Sequence, residues 1–205
     1  MTIRVPPGRA GRLWLVRRLE VATRGADVLD QKRQTLLREQ QRLSVRLAEA
    51  AAEWERKAAE AARWNDRALA IAGPRRLRLA SLHRRGLAEV TVERRNALGT
   101  VFPEAATVIG LGEAPDFVSL GGGASVALAA RAHTDALAAA AGHAAARAAH
   151  EAIAAEFAAT TRRLRAIEHR WIPDHEAALR ALELTLDARE LEDTARGRWA
   201  LERQQ

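Results

Sequence analysis

The chain has 205 residues, dominated by Ala, Leu, Arg and Glu with an apolar period of about 3.5 residues, which is typical of long helices or coiled coil. It contains no cysteine, which excludes disulfides and thiolate metal sites, and no run of about 20 apolar residues that would predict a membrane-spanning helix. With 48% apolar residues, three Phe and no Tyr, it predicts an elongated all-α protein rather than a thick globular core.

The formal net charge of +7 is distributed unevenly along the chain. Residues 1–100 carry 22 basic and 11 acidic side chains, whereas residues 101–205 carry 11 basic and 15 acidic ones. Two helices of opposite sign are typical of a charge-matched antiparallel pair. The alternatives are a free-standing coiled-coil adaptor and a basic nucleic-acid-binding helical hairpin, and strongly salt-dependent DNA binding would indicate the second. We do not expect dedicated nucleic-acid binding.

The first long helix is predicted over residues 10–72. It opens at VPPGR, which is acceptable at a helix start, and closes at AGPRR, where Gly73 suits a left-handed cap and Pro74 prevents continuation. The apolar stretch LWLV near the start is far shorter than the core of a signal peptide. Alternating steps of four and three residues define a heptad seam, which needs a partner along its length. Its members are Leu15, Leu19, Ala22, Ala26, Leu29, Arg33, Leu36, Gln40, Leu43, Leu47, Ala50 and Trp54.

The connecting region, residues 75–125, differs in character from the helices. The stretch LAEVTVE at 87–93 alternates apolar and polar residues, and GTVFP follows at 99–103 after a short linker, RRNAL. Together they predict a small β-hairpin near residues 87–103. The stretch 110–125 contains three consecutive glycines and predicts a Gly-rich loop.

The second long helix is predicted over residues 126–203. Its seam takes a step of eight from Trp171 to Leu179, a stutter that locally unwinds a left-handed supercoil, and Pro173 lies inside this step. We favour one kinked helix over two separate ones, because a helix starting at Pro173 would use Ile172 as a poor cap. The seam residues are Ile153, Phe157, Thr160, Leu164, Ile167, Trp171, Leu179, Leu182 and Leu186.

The predicted fold class is therefore all-α. The N- and C-terminal helices form a long antiparallel two-helix coiled coil, with a small β-hairpin and a Gly-rich loop in the middle. We expect a single elongated domain over residues 1–205.

No catalytic, cofactor-binding or metal-binding residue is predicted. The Gly-rich loop lacks the lysine of a Walker-type phosphate loop, and the chain has no GxGxxG fingerprint. We expect the histidines to be solvated or hydrogen-bonded, since no carboxylate lies at a recognised metal-ligand spacing from them. The carboxylates Glu190, Glu192 and Asp193 are expected at an exposed helix end, and Trp54 and Trp171 in the seam. The six histidines are His83, His133, His143, His150, His169 and His175.

Three stretches of the chain resemble one known family. They are RVPPGRAGRLWLVRRLEVATRGADVLDQKRQTL at 4–36, NALGTVFPE at 96–104 and RRLRAIEHRWIPDHEAALRALELTLDARELED at 162–193. In this order they resemble the D subunit of the vacuolar and archaeal-type rotary ATPases, the central-stalk rotor shaft. Gly8, Arg165 and Ala188 depart from the family pattern, which has Thr, Asn and an acidic residue there. The matching residues are Pro7, Arg9, Leu13, Leu19, Arg24, Gly25, Lys32, Arg33, Leu36, Gly99, Pro103, Arg162, Arg163, Ala166, Glu168, Ile172, Pro173, Leu186, Asp187 and Glu190.

The resemblance implies a two-helix coiled coil with a small hairpin region, in agreement with the periodicity. It implies a non-catalytic protein that rotates inside a ring and couples ATP hydrolysis or synthesis to proton or sodium transport through the membrane rotor. The implied partners are the catalytic and regulatory head subunits, the small F subunit of the central stalk and the rotor-socket subunit. The implied location is cytoplasmic and peripheral to the membrane through the complex, with no direct membrane insertion and no cofactor.

Overall fold

A computed structural model describes residues 4–82, 87–110 and 123–203. Helix α1 (Gly8–Leu82) is followed by strands β1 (Glu89–Ala97) and β2 (Thr100–Ile109). Helix α2 (Gly123–Ala166) continues through a π-helical segment (Ile167–Trp171) into helix α3 (Ile172–Glu202). The predicted fold class is confirmed, with a long helix at each end of the chain and a two-stranded hairpin between them. Residues 111–122 of the predicted Gly-rich loop lie outside the described residues.

The predicted seam of α1 is buried or half-buried at every position except Trp54, which is exposed. Leu15, Leu36 and Leu43 are completely buried. Each fully buried leucine stabilises the fold by roughly 1.5–3 kcal/mol relative to an exposed one. Arg33, one of the two polar members, is half-buried and donates to Asp30 at 2.7 Å, so its charge is neutralised. The heptad pattern therefore identifies the packed face of this helix.

Helical geometry is interrupted at Gly73, as the sequence predicts. Its φ of 78° and ψ of 163° lie in a region that residues with a Cβ rarely adopt. The helix nevertheless resumes at Pro74 and continues to Leu82, in a stretch that the sequence assigns to the connecting region. Leu77 and Ala80 pack there against a small apolar cluster, which explains why the chain stays helical beyond the break. The buried members of this cluster are Ala68, Val126 and Ala129.

Strands β1 and β2 form the predicted antiparallel hairpin, with Val90 opposite Val108. Leu98 and Gly99 have φ values of 53° and 87°, and two successive residues with positive φ make a tight two-residue turn. The prediction of a linker at RRNAL is wrong, because residues 94–97 belong to β1. The local turn chemistry of Leu98 and Gly99 moves the reversal to the end of that stretch.

Glu104 forms a β-bulge in β2. Its neighbours Pro103 and Ala105 pair with Arg94 and Glu93, so Glu104 has no partner across the ladder. The Nη2 of Arg46 in α1 donates to the carbonyl oxygen of Glu104. A backbone carbonyl left out of the ladder is thus satisfied by a side chain from the long helix.

The chain passes from α2 into α3 without leaving helical geometry. The N–H of Ile172 donates to the carbonyl of Ile167, five residues earlier, while Ala166, Trp171 and Ile172 keep right-handed helical dihedrals. The predicted continuous helix through Pro173 is confirmed. Its irregularity is a wide π turn immediately before the proline, whose missing N–H leaves an upstream carbonyl without its helical donor.

Residues 1–35 and 157–205 form one compact unit. In it Arg9 pairs with Glu190 and Arg12 with Glu183, both at 2.8 Å. The later residue of α1 meets the earlier residue of α3, which is the antiparallel order that the sequence predicts.

Residues 36–156 form a second compact unit. Lys57 pairs with Asp135 at 2.9 Å, and the rings of Trp54 and His143 stack with centroids 5.2 Å apart. The alanine-rich face of α2 is buried here, since small side chains allow a close approach of helices. The buried alanines of α2 are Ala129, Ala132, Ala145, Ala146 and Ala149. The single elongated domain expected over residues 1–205 stays a prediction.

Candidate functional site: an arginine-rimmed apolar groove

An open groove of about 790 Å³ lies between the first turns of α1 and the π-helical segment. Its floor includes Trp14 from α1 and Ile167 and Trp171 from the π-helical segment, all half-buried. Leu13 and Val21 extend its apolar wall and are 56% and 63% exposed. We call this feature the N-terminal groove. It belongs entirely to the unit formed by residues 1–35 and 157–205.

Arg18 links the two sides of the N-terminal groove. Its guanidinium carbon lies 4.6 Å from the ring centroid of Trp14 and 5.6 Å from that of Trp171. Both distances suit a cation–π interaction, which arginine makes through its flat, weakly hydrated guanidinium. The arginine therefore holds two tryptophans from opposite ends of the chain at one place.

The rim of the groove is basic, and the described residues that line it include no carboxylate. Arg17 lines it, is exposed, and makes no ion pair within residues 4–82, 87–110 and 123–203. Nearby on the opposite side of the groove, residues 162–171 contain four exposed arginines and a single glutamate. None of these four arginines has an ion-pair partner in the part of the chain that the structure describes. They are Arg162, Arg163, Arg165 and Arg170.

Several arginines farther along α1 are neutralised within the helix. Arg42 donates to Glu39 at 2.6 Å, and these hydrogen bonds lower the pKa of the Glu39 carboxyl below its ordinary value of 4.5. Arg33 and then Gln34 likewise lower the pKa of Asp30 through hydrogen bonds. The arginines around the N-terminal groove differ from these, because no carboxylate of the described residues is bound to them.

The histidines occupy different environments. His133 and His169 are exposed, and His150 is half-buried, while His83 lies outside the described residues. His143 stacks on Trp54. His175 is buried, its Nδ1 lies 2.8 Å from the carbonyl oxygen of Trp171, and its ring stacks on the Trp171 ring at 3.5 Å. The expectation of a hydrogen-bonded histidine is met at His175.

The carboxylates near the end of α3 are exposed, as predicted. Glu190 binds Arg9, and Glu192 and Asp193 both face Arg196, at 3.5 and 3.8 Å. Within the described residues, no group of three or more His, Asp or Glu side chains is placed to hold a metal ion. Trp54 is more exposed than a seam position predicts, whereas Trp171 is half-buried.

The sequence analysis missed the N-terminal groove. The signal for it is a second apolar row beside the heptad seam, in which Ala10, Trp14 and Val21 follow one another at helical spacing with Arg17 between them. The row does not show by itself that Ile167 and Trp171 close its other side. The assembled surface can bind an apolar ridge and carboxylates, because it offers both an apolar floor and unneutralised guanidinium groups.

No described helix combines the length and the apolar character that crossing a bilayer requires. Comparison with curated proteins found no significant match. A family model described as the D subunit of ATP synthase matches residues 13–202, which covers both long helices and the hairpin. The resemblance to the D subunit of the vacuolar and archaeal-type enzymes is thereby confirmed, and the chain belongs to the ATP synthase D-subunit family of rotary ATPase stalk proteins.

Proposed function

We propose that this chain is a non-catalytic central-stalk shaft, which turns inside the head and couples ATP hydrolysis or synthesis to proton or sodium transport through the membrane rotor. The observation that carries the proposal is the family match over residues 13–202. The antiparallel pairing of Arg9 with Glu190 and of Arg12 with Glu183 supports it. Two helices locked along a seam resist twisting better than one, and a shaft must transmit torque.

The end of α3 supports insertion into a partner. Every side chain described from Asp187 onward is exposed, and Leu191, Trp199 and Leu201 are among them. Large apolar side chains exposed together are typical of an interaction surface. The proposed partners are the catalytic and regulatory head subunits, the small F subunit of the central stalk and the rotor-socket subunit. The proposed location is cytoplasmic, peripheral to the membrane through the complex.

Covalent linkage between shaft and ring tests the rotation. The chain has no native cysteine, so Arg196→Cys introduces one thiol at an exposed position near the end of α3. Paired with a facing cysteine in a ring subunit freed of other thiols, it forms a disulfide only if the two residues approach closely. ATPase activity should fall in proportion to cross-linking and return on adding reductant. Arg196→Cys without the ring cysteine is the matched control.

A second link, at Arg189→Cys, excludes a trivial explanation. Residue 196 lies near a helix end that can fray, so a tethered tip could unwind while the rest of the shaft turns. Arg189 is exposed and lies about two turns deeper in α3. Full turnover in a complex completely cross-linked through Arg189→Cys would contradict the proposal and leave a static adaptor.

A further inference from the structure

The N-terminal groove leaves apolar surface exposed beside a buried seam. Leu13 and Val21 are more than half exposed, and Trp14, Ile167 and Trp171 are only half-buried. These residues come from two helical segments that lie side by side within one unit. A cleft between two paired helices has the shape that accepts a third helix, because side-chain ridges pack into such grooves.

The length of the groove sets the size of its occupant. Its lining at the start of the chain extends from Pro6 to Val21. At 1.5 Å per residue this stretch measures roughly 20 Å, so a helix of about four turns would fill it.

Charge identifies the chemistry of the occupant. Arg17 and Arg18 border the groove without a carboxylate of the described residues bound to them, and the arginines of residues 162–171 add to the positive potential. Elsewhere on α1, Arg42 and Arg56 each bind a glutamate three residues away, at 2.6 and 2.7 Å. Guanidinium groups beside an apolar floor are complementary to carboxylates that flank apolar side chains.

We propose that the N-terminal groove binds an acidic amphipathic helix of another polypeptide. Its apolar side chains, spaced at i, i+4 and i+7, would lie on Trp14, Ile167 and Trp171, and its flanking carboxylates would bind Arg17 and the arginines opposite. An anionic membrane surface fits less well, because bilayers bind convex amphipathic faces rather than a concave cleft. The inference does not depend on rotation, since the isolated full-length chain is sufficient to test it.

The test uses a synthetic 15-residue peptide of alanine-rich helical sequence, with leucines at i, i+4 and i+7 and glutamates on both flanks. A matched peptide carries glutamine in place of each glutamate. Titration calorimetry on the full-length chain should show saturable one-to-one binding of the acidic peptide. The glutamine peptide should bind at least about tenfold more weakly, a difference of about 1.4 kcal/mol.

Variants locate the binding. Leu13→Glu and Val21→Glu place a carboxylate in the groove at exposed positions, so the helix should remain folded while acidic peptide binding falls at least about tenfold. Leu184→Glu is the matched control, because Leu184 is a similarly exposed leucine of the same unit outside the groove lining. Arg17→Gln should reduce the salt dependence of binding, and circular dichroism checks folding throughout.

Three outcomes would overturn the proposal. Equal binding of the glutamine peptide would remove the role of charge, and an equal loss in Leu184→Glu would remove the groove. Binding of phosphatidylglycerol vesicles or of RNA that is stronger than peptide binding and is lost in Leu13→Glu would assign the surface to another class of partner.

Discussion

His175 fills the seam position that the apolar pattern leaves empty between Trp171 and Leu179. The step of eight is two steps of four, with the buried imidazole at the middle position. Its polar nitrogen is accommodated because Nδ1 lies within hydrogen-bond distance of the Trp171 carbonyl, and its ring lies flat on the indole. A histidine can thus act as a seam residue when its own helix supplies the hydrogen-bond partner.

Truncation of this side chain should destabilise the fold. We expect His175→Ala to lower the free energy of unfolding by about 1–3 kcal/mol, because it leaves a cavity against Trp171. His175→Leu should lose less, since it keeps most of the packed volume. Urea denaturation measures both. His169→Ala, at an exposed position in the preceding turn, is the control, and an equal loss there would contradict the packing role of His175.

Glu39 gives the fold an acid-sensitive contribution. Hydrogen bonds from Arg42 lower its folded pKa below 4.5, so its stabilisation is present above that pH and is lost as the pH falls through the lowered pKa. Glu39→Gln should cost about 0.3–0.5 kcal/mol at pH 7 and almost nothing below the lowered pKa. Denaturation between about pH 2 and 7 tests this, with the exposed Glu49→Gln as control. A constant difference across the pH range would contradict it.

At the scale of the element, the C-terminal helix tolerates Pro173 because a π turn precedes it. The segment Ile167–Trp171 bonds one residue wider than an α-helix, which locally changes the rotation of the following seam residues. The stutter, the π turn and the proline therefore occur at one place. The helix continues because the seam on both sides, at Leu164 and His175, remains buried.

Removing the proline should leave this helix intact. Pro173→Ala restores a backbone N–H and a better helix former, so helicity should rise slightly and stability should stay equal or increase by up to about 1 kcal/mol. Gly142→Ala calibrates the measurement, because a Cβ at this mid-helix glycine meets nothing within 4 Å and should add up to about 1 kcal/mol. Circular dichroism and thermal melting report both. Unfolding of Pro173→Ala would mean that the bend itself is required.

The alanine face of α2 is a packing surface. Ala146 is buried, whereas Ala144, two residues earlier, is exposed. Ala146→Leu should destabilise the protein by about 1–3 kcal/mol through overpacking. Ala144→Leu should change stability by less than about 0.5 kcal/mol. Equal effects of the two substitutions in urea denaturation would show that this face is not closely packed.

At the scale of the whole molecule, the excess of basic residues in the first half meets the acidic second half. The ion pairs that join the long helices in the described residues each place the cation on α1 and the anion on α2 or α3. This agrees with the charge-matched antiparallel pair expected from composition. All three pairs are substantially exposed at one partner or both, so solvent and salt weaken them.

These pairs should favour the antiparallel pairing while contributing little stability. A double-mutant cycle of Arg12→Ala and Glu183→Ala should give a coupling energy of about 0.2–1 kcal/mol that decreases with salt. Leu15→Ala, at a fully buried seam position nearby, should cost about 2–5 kcal/mol. A salt-independent coupling above about 2 kcal/mol would reverse this ranking of charge and seam.

Local chemistry in the sequence determined the helices, their packed faces, the break at Gly73 and the presence of a hairpin. Heptad spacing, positive-φ glycine and alternating valines act over a few residues, so they can be recognised without a partner. Tertiary structure alone decided that His175 is buried, that Arg46 satisfies the bulge at Glu104, and that helix resumes after Gly73. It also decided that Arg18 brings Trp14 and Trp171 together. These contacts join residues distant in the chain, or depend on packing that local spacing does not specify.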